Sequence, residues 1–183
     1  MEINNAIASR LEMREFIKAV SNSLRGIFQH ELIALSIYEP ELERFRLHAL
    51  NFPGGQGFIH EGITMSAKGT LMGKVLTGRQ PIRVGELQPG DLPAENVELS
   101  RREGLKSGAI FPHIVADRVI GTVNVVSKRE NSVSDEDMGF LSQIAGQVAV
   151  GLANALAYKQ IDELKNKLQE EKRCRDGVRS ELQ

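Results

Sequence analysis

Hydrophobic positions over residues 11–28 recur at helical spacing. Leu11, Phe16, Ile17, Val20, Leu24, Ile27 and Phe28 share one face, while Glu12, Arg14, Glu15, Lys18 and Arg25 fill the other. The pattern predicts an amphipathic helix there, preceded by a shorter helical turn over 3–9. The period then changes. Leu32 to Tyr38 is an apolar run closed by Glu39-Pro40, which reads as a strand and a turn. Over 44–50, Phe45, Leu47 and Ala49 alternate with Arg44, Arg46 and His48, so residues 32–50 predict a β-hairpin. Pro53, Gly54, Gly55, Gly57 and Gly62 make 51–66 a loop over the sheet. A short helix follows over 68–77, with Leu71, Met72, Val75 and Leu76 as its apolar side. Next come a brief strand over 81–84 and a long loop over 85–107, which has a helical turn near Ala94 to Glu103. A second hairpin joins 108–115 to 119–126 through a turn at Ala116-Asp117-Arg118. Pro112 cannot donate to a strand ladder, so an edge or a bulge is expected at that point.

The last helix is the clearest element. Ser134 and Asp137 have capping-box spacing, and Asp135, Glu136 and Asp137 put negative charge at the positive helix end. Leu141, Ile144, Ala145, Val148, Leu152 and Ala155 form an apolar stripe that continues to Ile161, Leu164 and Leu168. With Ile161 at heptad position a, those last three make a coiled-coil seam, which Glu171 and Arg175 then interrupt. The tail is therefore either a parallel dimer seam or a solvated helix end. The order of elements predicts an α+β fold. An antiparallel β-sheet would carry the N- and C-terminal helices on one face and a loop-covered ligand cavity on the other.

Composition narrows the function. A chain of 183 residues suits one domain with a short appendage, placed here at 1–158 and 159–183. Basic and acidic residues number 23 and 24, so there is no cationic surplus for direct nucleic-acid binding. The single Cys174 allows no intramolecular disulfide, which fits a reducing cytoplasm. There is no apolar run of the roughly 20 residues needed to cross a bilayer, and no basic-then-apolar N-terminal signal. A cytoplasmic protein without a membrane partner is expected.

Most catalytic motifs fail. Gly69-Thr70-Leu71-Met72-Gly73-Lys74-Val75 has one residue too few between its glycines for a phosphate-binding loop, and a valine where the magnesium-binding hydroxyl belongs. His30, His48, His60 and His113 show no metal-ligand spacing, so neither metal nor cofactor is expected. No nucleophile elbow surrounds Ser66, Ser107 or Ser127.

Leu141 to Tyr158 resembles the last helix of GAF domains. The continuation from Lys159 to Leu168 is similar to bacterial activators of the formate hydrogenlyase type, as are Asn4 to Leu11, Gly69-Thr70-Leu71 and the hairpin around Gly121. The resemblance implies a sensory domain; the failed motifs make a non-enzymatic role the expectation, and the seam of Ile161, Leu164 and Leu168 makes a homodimer the expectation. In that group it precedes an ATPase acting on sigma-54 RNA polymerase and a DNA-binding helix-turn-helix, neither of which lies in this chain. It also implies a small-molecule effector, formate or another small organic anion, read out through the C-terminal helix. The expected lining residues are His60, Met65, Arg83, Ser107 and His113, with Arg83 pairing charge and His113 hydrogen bonding. Bilin-binding relatives need a pocket cysteine and free-methionine-sulfoxide reductases of this fold need several, whereas Cys174 lies in the tail. Two other readings stand beside this one. One is a ligandless dimerisation scaffold whose pocket is filled by Phe58 and Met65. The other is the sensory GAF domain of a signalling kinase or cyclase.

Overall fold

The computed structural model describes residues 14–24 and 29–181. The helical turn expected over 3–9 and the two ends of the 11–28 helix lie outside them. The chain divides into two compact units, one ending at Ala149 and one beginning at Val150.

In the first unit, a helix over 14–24 (α1) leads to strands β1, Leu32–Glu39, and β2, Arg44–Asn51. The other strands are β3, Thr64–Ser66, β4, Ile82–Val84, β5, Ser107–Val115, and β6, Arg118–Ser127. Helices α2, Leu71–Gly78, and α3, Ala94–Arg102, flank β4 in sequence, and α4 runs from Asp135 to Glu181. The strands form one antiparallel sheet in the order β3-β2-β1-β6-β5-β4. Strand β3 falls inside the stretch read as loop. Three residues are too few to show an alternation.

Residues paired across antiparallel strands share a face, so the register sorts the side chains. Ile33 and Leu35 of β1 pair with Val125 and Val123 of β6, which pair with Ala109 and Phe111 of β5. All six are buried. Ile17, Ser21 and Leu24 of α1 and Leu141, Ala145 and Val148 of α4 are buried too, and the Ala145 backbone of α4 lies against His113, whose pairing with Gly121 puts it on this helix-covered face. The opposite face carries Leu32, Ala34, Asn124, Val126 and Ile110. A register shift between Leu35 and Ser36 leaves His48 as the extra residue of β2. The expected alternation therefore breaks. Leu47 stays on the loop side opposite Ser36, while Ala49 turns to the helix side opposite Leu35.

Pro112 lies beyond the last β4 pair, Ile82 with Ile110, and directly before a second register shift at His113/Ile114. Its missing N–H thus faces an unpaired side of β5. Val115 pairs with Arg118 across a two-residue turn in which Ala116 and Asp117 both have positive φ, 46° and 63°. The first hairpin is tied by Glu39, whose carboxylate accepts from Arg44 Nε at 2.6 Å and Arg46 Nε at 2.5 Å. Hydrogen bonds from Arg46 and Arg44 hold that carboxyl down to about 2.

The capping box forms at α4. Asp137 N–H donates to Ser134 Oγ at 3.1 Å, and Ser134 N–H donates to Asp137 Oδ2 at 2.8 Å. The glycines of the failed phosphate loop are structural. Gly69 has φ of 72°, and a Cβ on Gly73 would lie 2.0 Å from the Ala67 carbonyl oxygen.

A lidded apolar cavity as candidate functional site

A cavity of about 120 Å³ lies between the sheet and the layer of loops and short helices. Its floor is built from β1, β2, β5 and β6 through Leu32, Ala34, Leu47, Gly108, Ile110, Asn124 and Val126. Its roof comes from Ile59 and Ile63 of the glycine-rich loop, Met65 of β3, Leu71 and Met72 of α2, and Asn96, Leu99 and Ser100 of α3. Two apolar clusters support these walls. Phe45, Ala67, Met72, Val75 and Ile110 pack at one end, and Leu32, Ala34, Leu47 and Leu105 at the other.

Helix α3 turns a polar stripe inward. Asn96, Ser100 and Glu103, at the i, i+4, i+7 spacing of one helical face, are all buried. Asn96 Nδ2 donates to the Thr64 carbonyl at 3.3 Å, and its Oδ1 has no partner among the described residues. On the floor, Asn124 Nδ2 lies 3.3 Å from Ser36 Oγ, and its Oδ1 is likewise unpartnered. Each is a buried acceptor without a hydrogen bond, a costly arrangement in a dry interior.

Glu103 fastens the roof. Its carboxylate accepts N–H bonds from Gln56 and Phe58, both at 2.7 Å, and from Ile59 at 3.3 Å. Burial by itself pushes the Glu103 carboxyl up. The three donors and the charge of Lys128 outweigh it and leave the group below the usual carboxylate range. Two cations brace the same loop. The Arg102 guanidinium sits 3.7 Å from the centre of the Phe58 ring, and Lys128 Nζ sits 5.5 Å from that of Phe52. Phe58 is held under Arg102 and is not part of the cavity wall.

The expected site residues separate. Met65 and Ser107 line the cavity, but the Ser107 hydroxyl is committed to Arg129 O at 2.5 Å and Ser132 Oγ at 2.6 Å. His60 is exposed, with Nδ1 2.9 Å from the Glu61 carbonyl. Arg83 is exposed and its Nη1 donates to Asp135 Oδ1 at 2.6 Å, at the start of α4. His113 does not line the cavity, because pairing with Gly121 places it on the helix-covered face. There it is fully buried, and neither ring nitrogen makes a hydrogen bond among the described residues. Desolvation pushes its imidazole down to about 4, opposed only by the nearby Ala145 backbone. Asn96, Asn124 and Glu103 are absent from the sequence expectation. For Glu103 and Asn96, the readable signal is the i, i+4, i+7 polar spacing within an otherwise charged segment.

Among the described residues there is no group of His, Cys, Asp and Glu side chains that could hold a metal ion, and no helix long and apolar enough to cross a membrane. Ile161, Leu164 and Leu168 of the second unit are 50%, 60% and 65% exposed.

Comparison with known proteins agrees with this architecture. The chain is 25% identical over 171 residues to the formate hydrogenlyase transcriptional activator of Escherichia coli K12, a match covering 92% of this chain and 25% of that protein. The corresponding activator of Salmonella typhimurium LT2 is 22% identical over the same shares. The chain thus spans a quarter of the length of the curated relatives it matches. The GAF domain of a two-component sensor histidine kinase from Bacillus halodurans superposes with a TM-score of 0.66 at 20% identity, over 79% of this chain and 96% of that one. A free methionine-R-sulfoxide reductase from Neisseria meningitidis superposes with a TM-score of 0.60 at 12% identity, over 80% and 78%. The GAF domain family model matches residues 11–153, most of the first unit and the first turn of the second. With that match over its cavity-bearing sheet, the chain belongs to the GAF domain family.

Proposed function

We propose that this chain is the ligand-sensing regulatory domain of a sigma-54-dependent transcriptional activator of the formate hydrogenlyase type, and not an enzyme. The observation that carries this reading is the cavity, which lies under the loop layer and is walled almost entirely by apolar side chains. A scaffold that needed no ligand would fill such a space. Likeness of fold does not choose between activator and kinase, because the GAF domain of a sensor histidine kinase superposes too. The likeness to curated activators over 92% of the chain favours the activator.

In this reading a small molecule stabilises one arrangement of the domain, and α4 carries that preference towards an ATPase through a homodimer. A ligand shifts the balance only as far as its affinity for the two arrangements differs. The protein works in the cytoplasm and touches nucleic acid only through other domains.

The test replaces the matching quarter of the Escherichia coli activator with this chain and reads ATPase rate and promoter output. A small-molecule extract of cells should change the output, and Ala34→Phe, which fills the cavity from its floor, should abolish the response. Output that ignores the extract in both proteins would favour the scaffold. Phosphotransfer in a kinase fusion, with no response in the activator fusion, would favour the kinase reading.

A further inference from the structure

The geometry points to Ser107 as the joint through which the cavity wall moves the start of α4. The inference rests on the reading above, in which the cavity senses and α4 reports, and adds the route between them.

Ser107 opens β5 directly after Leu105 and Lys106, and all three residues line the cavity. Only 2% of Ser107 is exposed. Its hydroxyl meets residues 128–134, the connector between β6 and α4. A hydroxyl offers one proton and two lone pairs. The Arg129 carbonyl can only accept, so the Ser107 proton goes to it, at 2.5 Å. The Ser132 hydroxyl, 2.6 Å away, must then donate to Ser107, and the Ser132 N–H donates as well, at 3.2 Å. The whole hydrogen-bonding capacity of this buried side chain is therefore committed to the connector.

Other contacts tie the same connector to the rim of the cavity. Val84 lines the cavity, and the carbonyl of the next residue, Gly85, accepts the Asn131 N–H at 2.8 Å. A Cβ on Gly85 would lie 2.5 Å from Asn131 Oδ1, so the two segments meet without a gap. Lys106 Nζ donates to Glu130 Oε1 at 2.8 Å, and Arg83 Nη1 to Asp135 Oδ1 at 2.6 Å in the first turn of α4. Those two ion pairs are exposed and hold weakly. The Ser107 hydroxyl is buried, so the joint is strongest there.

The connector is also short. Ser132 lies two residues before Ser134, whose hydroxyl caps α4, and Val133 between them is buried. Every contact on the route lies within the first unit. When the cavity wall shifts at Ser107, either the connector follows, or the Arg129 carbonyl and both Ser132 donors lose their partner. The second course is unfavourable, because a group left unpaired out of water loses solvation as well as its bond. The connector follows, and with it the cap that fixes where α4 begins.

The experiment perturbs the cavity of the full chain and reads the connector. Xenon under pressure enters apolar cavities, and Ala34→Phe fills this one from its floor, so the two perturbations are independent. In the wild type each should move the amide NMR signals of Asn131, Ser132 and Met138. Each should also change hydrogen exchange about fivefold, the effect of one weakened hydrogen bond, at Met138, whose N–H donates to the Ser134 carbonyl at 3.1 Å. In Ser107→Ala, and in Ser132→Ala as a second variant, xenon should still shift the Ala34 and Ile110 methyls of the floor while the Met138 response disappears. A serine that merely holds the connector in place would loosen it when removed and leave its response to xenon intact, which would overturn the route. So would connector signals that ignore both perturbations in the wild type. In the activator fusion, a response to cell extract that survives Ser107→Ala would overturn the route and leave the sensing role standing. A fusion deaf to the extract, with the xenon response carried through Ser107, would remove the sensing role and leave the joint.

Discussion

His113 shows what a buried side chain does to stability. Its ordinary value of 6.5 falls to about 4 because the ring is dry. Between those values the unfolded chain binds a proton that the folded chain does not, so stability is full above about 6.5 and is lost as pH falls towards 4. The shift corresponds to on the order of 3 kcal/mol over the window. Urea unfolding at pH 7.5 and pH 5 should show a loss of about 2 kcal/mol in the wild type. His113→Leu should lose much less, and an equal loss would remove His113 as the cause. Glu103 acts in a lower window. Its depressed value gives stability that is present above the ordinary carboxylate range and is lost as pH falls through the folded value. Glu103→Ala leaves three N–H groups of the roof without acceptors and should destabilise by about 3 kcal/mol. Hydrogen exchange at Gln56, Phe58 and Ile59 should quicken with it, and unchanged exchange there would separate the carboxylate from the lid. The sequence shows His113 inside a strand but not its side of the sheet. Both faces of β5 are buried, so Ile110 and Phe111 are equally apolar and parity stays hidden until register is known.

At the scale of elements, legibility follows length and periodicity. Both hairpins, α2 and α4 were readable because their patterns run over eight or more positions and end in turn or cap residues. The bulge at His48 was not, since a one-residue register shift depends on the partner strand rather than on β2's own alternation. Helix α3 was legible only as a helical turn near Ala94 to Glu103 within a long loop, because its inward stripe is polar and its outer face charged, leaving no hydrophobic period to mark a full helix. In the second unit the seam pattern of Ile161, Leu164 and Leu168 meets solvent-exposed side chains. Apolar residues at a and d spacing are stabilised by an identical helix. Removing residues after Tyr158, or introducing Leu164→Glu, should therefore weaken self-association at least tenfold by sedimentation equilibrium. Equal dimer populations with and without the tail would assign dimerisation to another surface.

The cavity depends on the whole first unit: sheet register sets its floor, two short helices its roof, and one buried carboxylate the lid. Most of its apolar wall was foreseeable as a loop-covered face. The two carboxamides were not, because a single asparagine in a strand or helix carries no period, and only the fold brings positions 96 and 124 to one space. Their lack of partners has a consequence for stability. The Asn124 oxygen is buried without a hydrogen bond among the described residues, and its NH₂ makes one long contact at 3.3 Å. Leucine is close in volume and removes the unsatisfied oxygen. Asn124→Leu should therefore stabilise the protein, by about 1 kcal/mol, which for a domain of this size raises the melting temperature by roughly 2–4 °C. A residue kept for packing would show the reverse, a lower melting temperature. Calorimetric scans of wild type and variant separate the two outcomes.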